Sequence, residues 1–498
     1  MNQKYIIALD QGTTSSRVLL FDKKGSLVGI QQKEFSQIYP KAGWVEHDPE
    51  EIFTSQIEVT KKLIEELDVQ PGEICGLGIT NQRETTIIWD KKTGKPLYNA
   101  IVWQDKRTAE FCNKLKSNTF NEYIRHNTGL IADSYFSGSK IHWLINNVPE
   151  IKEKAEKDEI LFGTVDTWLI WKLTKGGLHI TDHSNASRTL LYNIHTNDWD
   201  ENLLELFNVP RSSLPKIMDS SQFYGYVTCP ELAKYNIPIS GIAGDQQAAL
   251  FGQTCFSPGM AKNTYGTGCF MLMNIGTEKI VSDSGLLTTV AWKIGEDIIY
   301  ALEGSVFNSG SAVNWLRDNL KIIDDPNETE KISYSLEDND NVYLVPAYSG
   351  LGTPHWNMEA RGTIFGLTQK CDRRHFVRAT LESIAYQTYD VLNAMEADSG
   401  IKIEQLNVDG GAIKNNFLMQ FQADILNKNV VKPKMIESTA LGAAYLAGLA
   451  VKFWDFETLT KIKKTEKVYQ PNMGNMKREL NLRGWVNAVK AVNLWTKL

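Results

Sequence analysis

At 498 residues the chain is too long for one typical core, and its length fits about three domains or two large ones. Its composition, 42% apolar and 22% charged, is that of an ordinary soluble globular protein. A net charge of -6 argues against nucleic acid or an anionic membrane as partner. The longest weakly polar run, Leu441 to Val451, falls far short of the ~20 residues that span a bilayer. The cysteines Cys75, Cys112, Cys229, Cys255, Cys269 and Cys371 show no C-x-x-C spacing, which points to reduced thiols and no zinc site. The N-terminus enters a strand almost at once without a secretory leader, so a cytoplasmic protein is expected.

Tyr5 to Leu9 reads as a buried strand that runs into Asp10-Gln11-Gly12-Thr13-Thr14-Ser15-Ser16, and a second strand, Val18 to Phe21, follows. Gly12 lets the chain turn tightly and leaves backbone N–H groups open to an anion. The hydroxyls add donors, and Asp10 suits a hydrated divalent cation. The segment is predicted to be a phosphate-gripping hairpin beside a metal carboxylate, although Gly/Thr/Ser turns also join plain strand pairs. It is not a P-loop, because G-x-x-x-x-G-K-[ST] occurs nowhere.

Lys23-Lys24-Gly25 reads as the next turn, Leu27 to Ile30 as a third strand. Asp48, Pro49 and Glu51 then predict a helix start with a capping box, followed by an apolar face of Ile52, Phe53, Ile57, Leu63, Ile64 and Leu67. Ile74 to Ile79 is a buried strand and Thr86 to Trp89 another. Strands and helices alternate, so the class is α/β. Near residue 250 the pattern restarts: Thr264 to Met273 repeats the Gly/Thr turn between apolar strands, and Leu286 to Trp292 and Ile298 to Leu302 are further strands. Two related halves, 1–250 and 251–498, are expected. The acidic stretch Ile322 to Asn341 reads as an exposed helix and loop. Leu406 to Asp409 feeds Gly410-Gly411, a turn expected to open a helix and approach a ligand. Leu441 to Gly448 is a small-residue helix made for tight packing.

Two further clusters carry polar residues where apolar strands end. Arg83-Glu84 stands just beyond Ile74–Ile79, where an open α/β sheet places its ligand. Donor and acceptor together suit two adjacent hydroxyls; the alternative is a surface ion pair. In Gly241 to Leu250, Asp245 sits where a strand becomes a helix, as an N-cap or as a general base for an alcohol. Two carboxylates, a phosphate loop and a polyol-type pair together predict phosphoryl transfer to a hydroxyl.

The chain resembles the FGGY carbohydrate kinases, and within them the enzymes acting on glycerol. The resemblance rests on Gly78 to Thr86, Tyr98 to Gln104, Gly163 to Trp171, Gly241 to Gly252 and Lys262 to Met273. It rests also on two signatures, Tyr135 to Leu144 and Gly362 to Leu367 with His375 to Glu382. It implies a two-lobed actin/Hsp70/hexokinase-like ATPase fold of duplicated ribonuclease H-like domains with a central cleft. It also implies ATP-dependent phosphorylation of glycerol to sn-glycerol 3-phosphate. Carried over by position, Arg83, Glu84, Tyr135, Asp245 and Gln246 would hold the hydroxyls, Trp103 and Phe270 would pack on the carbon chain, and Asp245 would be the base. Thr13, Thr14, Ser15, Arg17 and Thr267 would line the phosphates. Gly310, Asn314, Gly411 and Asn415 would face the nucleotide, and Asp10, with Asp245, would hold Mg2+ through water. The resemblance further implies a homo-dimer or homo-tetramer.

Some positions depart from the family pattern. Asn314 stands where Gln is common. The fructose 1,6-bisphosphate loop of some members is replaced by Cys229 to Tyr235, and no histidine lies between His195 and His355, so neither known switch is expected. A kinase of a larger polyol or sugar, such as xylulose, is disfavoured because Trp103 and Phe270 narrow the pocket. A non-catalytic nucleotide switch has no use for Arg83, Glu84 and Asp245.

Overall fold

A computed structural model describes residues 4–118 and 120–496. The first sheet holds β1 (Tyr5–Gln11), β2 (Ser15–Asp22), β3 (Leu27–Glu34), β4 (Ile74–Asn81), β5 (Ser221–Tyr226) and β6 (Pro238–Gly244), ordered β5-β6-β4-β1-β2-β3. Strands β1, β4 and β6 are parallel, and β2 and β3 fold back as an antiparallel meander. Asp10 is level with Thr80, and Thr80 with Ala243. Three parallel strands therefore end side by side, and the residues just beyond them converge.

The second sheet holds β7 (Ala261–Tyr265), β8 (Cys269–Gly276), β9 (Leu287–Ile294), β10 (Asp297–Val306), β11 (Gln405–Asp409), β12 (Asn429–Pro433) and β13 (Thr465–Tyr469). Their order is β9-β10-β8-β7-β11-β12-β13. The β7–β8 hairpin stands beside parallel β11 as β1–β2 stands beside β4. The two Gly/Thr turns thus hold equivalent places in two sheets.

The helices that matter for the site are α1 (Pro49–Glu66), α2 (Ser137–Asn147), α3 (Asp245–Gly252), α4 (Gly310–Asp318), α5 (Arg373–Ser399), α6 (Asn416–Leu426) and α7 (Ser438–Ala450). Helix α1 buries Ile52, Ile57, Leu63 and Ile64 against the first sheet, while Phe53 is half-buried and Leu67 exposed. Asp48 caps it through the Glu50 N–H. The expected capping box does not form, because Glu51 turns outward to accept from the Ser36 N–H and hydroxyl, each at 3.0 Å. Gly410-Gly411 does not open α6 directly either. A short 3-10 turn, Gly411–Lys414, intervenes, and Asn415 caps α6 by accepting from the Leu418 N–H. The helix in the acidic stretch spans Glu328–Tyr334, with Thr329 and Ser333 buried.

Helix α7 is apolar on nearly every side, and such a helix must be enclosed. Glycines let it approach. A Cβ on Gly78 of β4 would lie 2.1 Å from the Ala443 carbonyl oxygen. One on Gly442 would lie 1.8 Å from the Ala248 oxygen of α3. A helix from the C-terminal half is thus wedged against the first sheet and against the helix that begins with Asp245. All six cysteines are free. Among the described residues no helix is long and apolar enough to cross a membrane.

Gly442→Ala is expected to destabilise the protein by about 3 kcal/mol, because two backbones would have to part. Gly411→Ala, with nothing within 4 Å of its Cβ position, is expected to change stability by less than about 0.5 kcal/mol. Denaturant unfolding of both variants checks the pair.

Candidate active site

The parallel strand ends deliver Asp10 from β1, Arg83 and Glu84 from the turn after β4, and Asp245 from the first residue of α3. Arg83 and Glu84 are both buried, 2% and 1% exposed, which removes the surface-pair reading. Nor are they each other's nearest partners, at 3.7 Å. Arg83 donates to Glu303 through Nη1 at 2.5 Å and Nη2 at 3.2 Å, and its Nε faces Asp245 Oδ1 at 3.1 Å. Arg188 donates to the same Glu303 at 2.9 Å and to Glu84 Oε1 at 2.7 Å. The result is a chain of alternating sign, Asp245–Arg83–Glu303–Arg188–Glu84. Burial alone would push Glu303 up, but Arg188 and Arg83 outweigh it and hold its carboxyl at about 2. Glu84 adopts a left-handed backbone, φ 61°, held by the Thr86 and Ser137 hydroxyls that donate to its carbonyl.

An aromatic wall closes over these charges. Trp103 meets Tyr135 edge-on at 5.6 Å and Phe270 at 6.5 Å. Trp103 Nε1 donates to the Thr13 hydroxyl at 3.0 Å, tying the wall to the first hairpin. The Arg83 fork reaches the Tyr135 hydroxyl at 3.4 Å. Lys140, itself buried, donates to the carbonyls of Ser134, Tyr135 and Phe136 and so fixes the segment that carries Tyr135 into α2.

Asp245 is not an N-cap. Gly244 occupies that position, and the Asp245 carboxylate, 31% exposed, accepts from the Gln246 N–H at 2.7 Å. Burial raises its pKa, with Arg83 and then Lys262 pulling against the rise. Lys262 is buried and donates to Gln246 Oε1 at 2.5 Å, to the Thr264 hydroxyl at 2.8 Å and to the Phe270 carbonyl at 3.3 Å. Burial lowers Lys262 to about 8, against the pull of Asp409, Asp245 and Glu303. Its bond to Oε1 fixes which way the Gln246 amide faces.

Cross-strand register places Asp10 opposite Arg17, and the two form an ion pair. Arg17 also reaches Glu437 at 2.6 Å, just ahead of α7. Burial raises Asp10, Arg17 opposes it, and the charge of Asp245 adds to the rise. Two carboxylates that repel across the strand ends are a donor set that a hydrated divalent cation suits, so Asp10 and Asp245 fit Mg2+. In the first hairpin Thr14 is exposed, and the Ser15 hydroxyl accepts from Gln32.

In the second sheet, Thr267 is exposed at the tip of the β7–β8 turn. Its carbonyl and that of Gly266 accept from the N–H groups of Ser309, Gly310 and Ser311, which docks the start of α4 on the turn. A Cβ on Gly410 would lie 2.4 Å from the Tyr265 oxygen, so the Gly410-Gly411 turn sits at the same end of the sheet. Asn415 donates to Thr329 as well as capping α6. Asn314 lies on an exposed face of α4 and opens on a cavity of about 510 Å³ shared with Trp315, Tyr348 and Arg361.

Arg188, Glu303, Lys262 and Lys140 were not among the expected site residues. Glu303 carries the one signal available, a carboxylate placed inside an apolar strand.

The family model described as the FGGY family of carbohydrate kinases, N-terminal domain, matches residues 5–252, and that of the C-terminal domain matches 261–451. The chain belongs to the FGGY family of carbohydrate kinases. It is similar to glycerol kinase 2 of Thermotoga maritima, 59% identical over 99% of this chain and 100% of that one. It is also similar to glycerol kinase of Brevibacillus brevis, 57% identical over 99% and 98%. The structure of Plasmodium falciparum glycerol kinase with ADP superposes with a TM-score of 0.94 at 42% identity, covering 98% of each chain. This FGGY kinase therefore has the two-domain actin/hexokinase-like ATPase fold.

Lys262→Met is expected to move the acid limb of kcat/KM to higher pH. Lys262 lowers the Asp245 pKa, so its removal raises the pH below which the Asp245 carboxylate is protonated. A pH–rate profile of wild type and variant checks the direction.

Proposed function

We propose that this FGGY kinase transfers the terminal phosphoryl group of ATP to glycerol, forming sn-glycerol 3-phosphate, with Asp245 as general base. The observation that carries this is the Asp245 carboxylate held at 3.1 Å from Arg83 Nε, beside the Tyr135–Trp103–Phe270 wall. Arg83 and Gln246 donate to glycerol hydroxyls, Glu84 accepts from one, and Tyr135 can do either. Asp245 orients the 3-hydroxyl and takes its proton as the oxygen attacks in line.

Thr13, Thr14, Ser15, Arg17 and Thr267 line the phosphates from the two hairpins, and Gly310, Asn314, Gly411 and Asn415 face the adenosine. Asp10 and Asp245 would hold Mg2+ through water, and the ion would offset phosphate charge. The residues supply position and electrostatics rather than covalent chemistry. Lobes 1–250 and 251–498, closing on each other, exclude the water that competes as acceptor. A cytoplasmic homo-dimer or homo-tetramer accords with this reading.

Asp245→Asn is expected to lower kcat about 10³-fold while glycerol still binds. An ADP-release assay beside glycerol titration tests this, and undiminished turnover removes Asp245 as base. Arg83→Lys keeps the charge but loses the fork, and is expected to raise the glycerol KM about tenfold or more with the ATP KM little changed. A rise in the ATP KM alone would displace the glycerol site from Arg83.

A further inference from the structure

Arg188 is fully enclosed, 0% exposed. Its charge partners are Glu84 at 2.7 Å and Glu303 at 2.9 Å. Its guanidinium also lies over the Tyr135 ring at 5.5 Å and the Phe136 ring at 5.2 Å. Every one of these neighbours is at, or next to, the proposed hydroxyl-binding groups.

The segment behind Arg188 is anchored to the same strand ends. Asp182 caps the short helix His183–Ala186 through the Ser184 and Asn185 N–H groups. Ser184 Oγ accepts from the Gly244 N–H at 2.9 Å, and Asn185 Oδ1 accepts from Asn81 Nδ2 at 3.0 Å. Arg188 is therefore registered against β4 and β6, the two strands that deliver Arg83 and Asp245.

Buried ion pairs are weak devices for stability, since desolvation offsets most of their attraction, whereas loss of one partner leaves an uncompensated charge. We propose that Arg188 is a positioning residue for glycerol recognition, locking the Glu84 carboxylate and, through Glu303, the Arg83 fork in the orientation that takes adjacent hydroxyls. This rests on the glycerol site proposed above. The charged and titratable groups around Glu84 are Arg83, Arg188, Glu303, Tyr135 and, more remotely, Lys140. Burial raises Glu84, and Arg83 and Arg188 oppose that rise. Without Arg188, Glu84 keeps its proton to higher pH and no longer offers a hydroxyl a pure acceptor.

The test is steady-state kinetics of the full chain for Arg188→Lys, Arg188→Met and Glu84→Gln across neutral pH, each against glycerol and against ATP. The glycerol KM of both Arg188 variants is expected to rise about tenfold or more with the ATP KM little changed. The acid limb of kcat/KM for glycerol is expected at higher pH in Arg188→Met than in wild type, since that variant removes the charge opposing the rise in Glu84. Adding Glu84→Gln to Arg188→Met is expected to return that limb to the wild-type position, which a merely structural role would not do. If Arg188→Met does not fold, the split between glycerol and ATP KM in Arg188→Lys carries the test, because that variant keeps the charge while losing the fork to Glu84 and Glu303. Equal rises in both KM values, or an unmoved pH limb in folded Arg188→Met, overturn the proposal. If Glu84→Gln raises the glycerol KM and the Arg188 variants do not, this proposal alone fails. If Glu84→Gln leaves it unchanged, the glycerol-site reading fails with it.

Discussion

The ion pair between Arg83 and Glu303 is the constraint on which the site depends. Arg83 comes from the first sheet and Glu303 from the middle of β10 in the second, 220 residues apart. Both are buried, and Glu303 would lose both of its cations, Arg83 and Arg188, if the halves parted. The guanidinium that faces Asp245 is thereby fixed by the opposite lobe. Arg188 reinforces the crossing, and Arg17 makes a second one through Glu437. The proposed alcohol-binding groups are held in this arrangement only when the two sheets are docked.

Docking in turn depends on close backbone approach. Helix α7 belongs to the second half by sequence but packs on β4, β6 and α3 of the first, through glycines that leave no room for a Cβ. Helix α3 begins with Asp245, so the contact that joins the halves also sets the position of the proposed base. Strand register does the rest. Level strand ends bring Asp10, Arg83 and Asp245 together with no long loop to order, which limits the entropy that binding must overcome. A kinase needs this rigidity, because in-line transfer tolerates little misplacement of the acceptor oxygen.

Much of this was legible in the sequence, for identifiable reasons. Asp10 before Gly12, Arg83-Glu84 after an apolar run and Asp245 at a strand–helix junction all break a local pattern, and each lies at the end of a parallel strand. The Thr264 to Met273 restart was visible because the second hairpin reuses the Gly/Thr turn. Glu303, Arg188 and Lys262 escaped because their significance lies in pairs distant along the chain. Glu303 falls just after the apolar run Ile298 to Leu302, and Arg188 follows a short capped turn with no periodicity. A buried acid inside a strand does demand a buried cation, but a single sequence does not say which. Local competition misled in the same way: Glu51 satisfied Ser36 instead of its own helix, and Gly411 began a 3-10 turn before Asn415 could cap α6.

The proposed site has a charge chain crossing the two lobes that reads each hydroxyl of a three-carbon alcohol. The most direct measurement is calorimetric titration of the protein with glycerol, propane-1,2-diol and propane-1,3-diol under one set of conditions. A site of buried, pre-paired donors and acceptors should reject each diol by about 10³-fold or more, since a missing hydroxyl strands a buried polar partner. Diols that bind within about tenfold of glycerol would contradict the account.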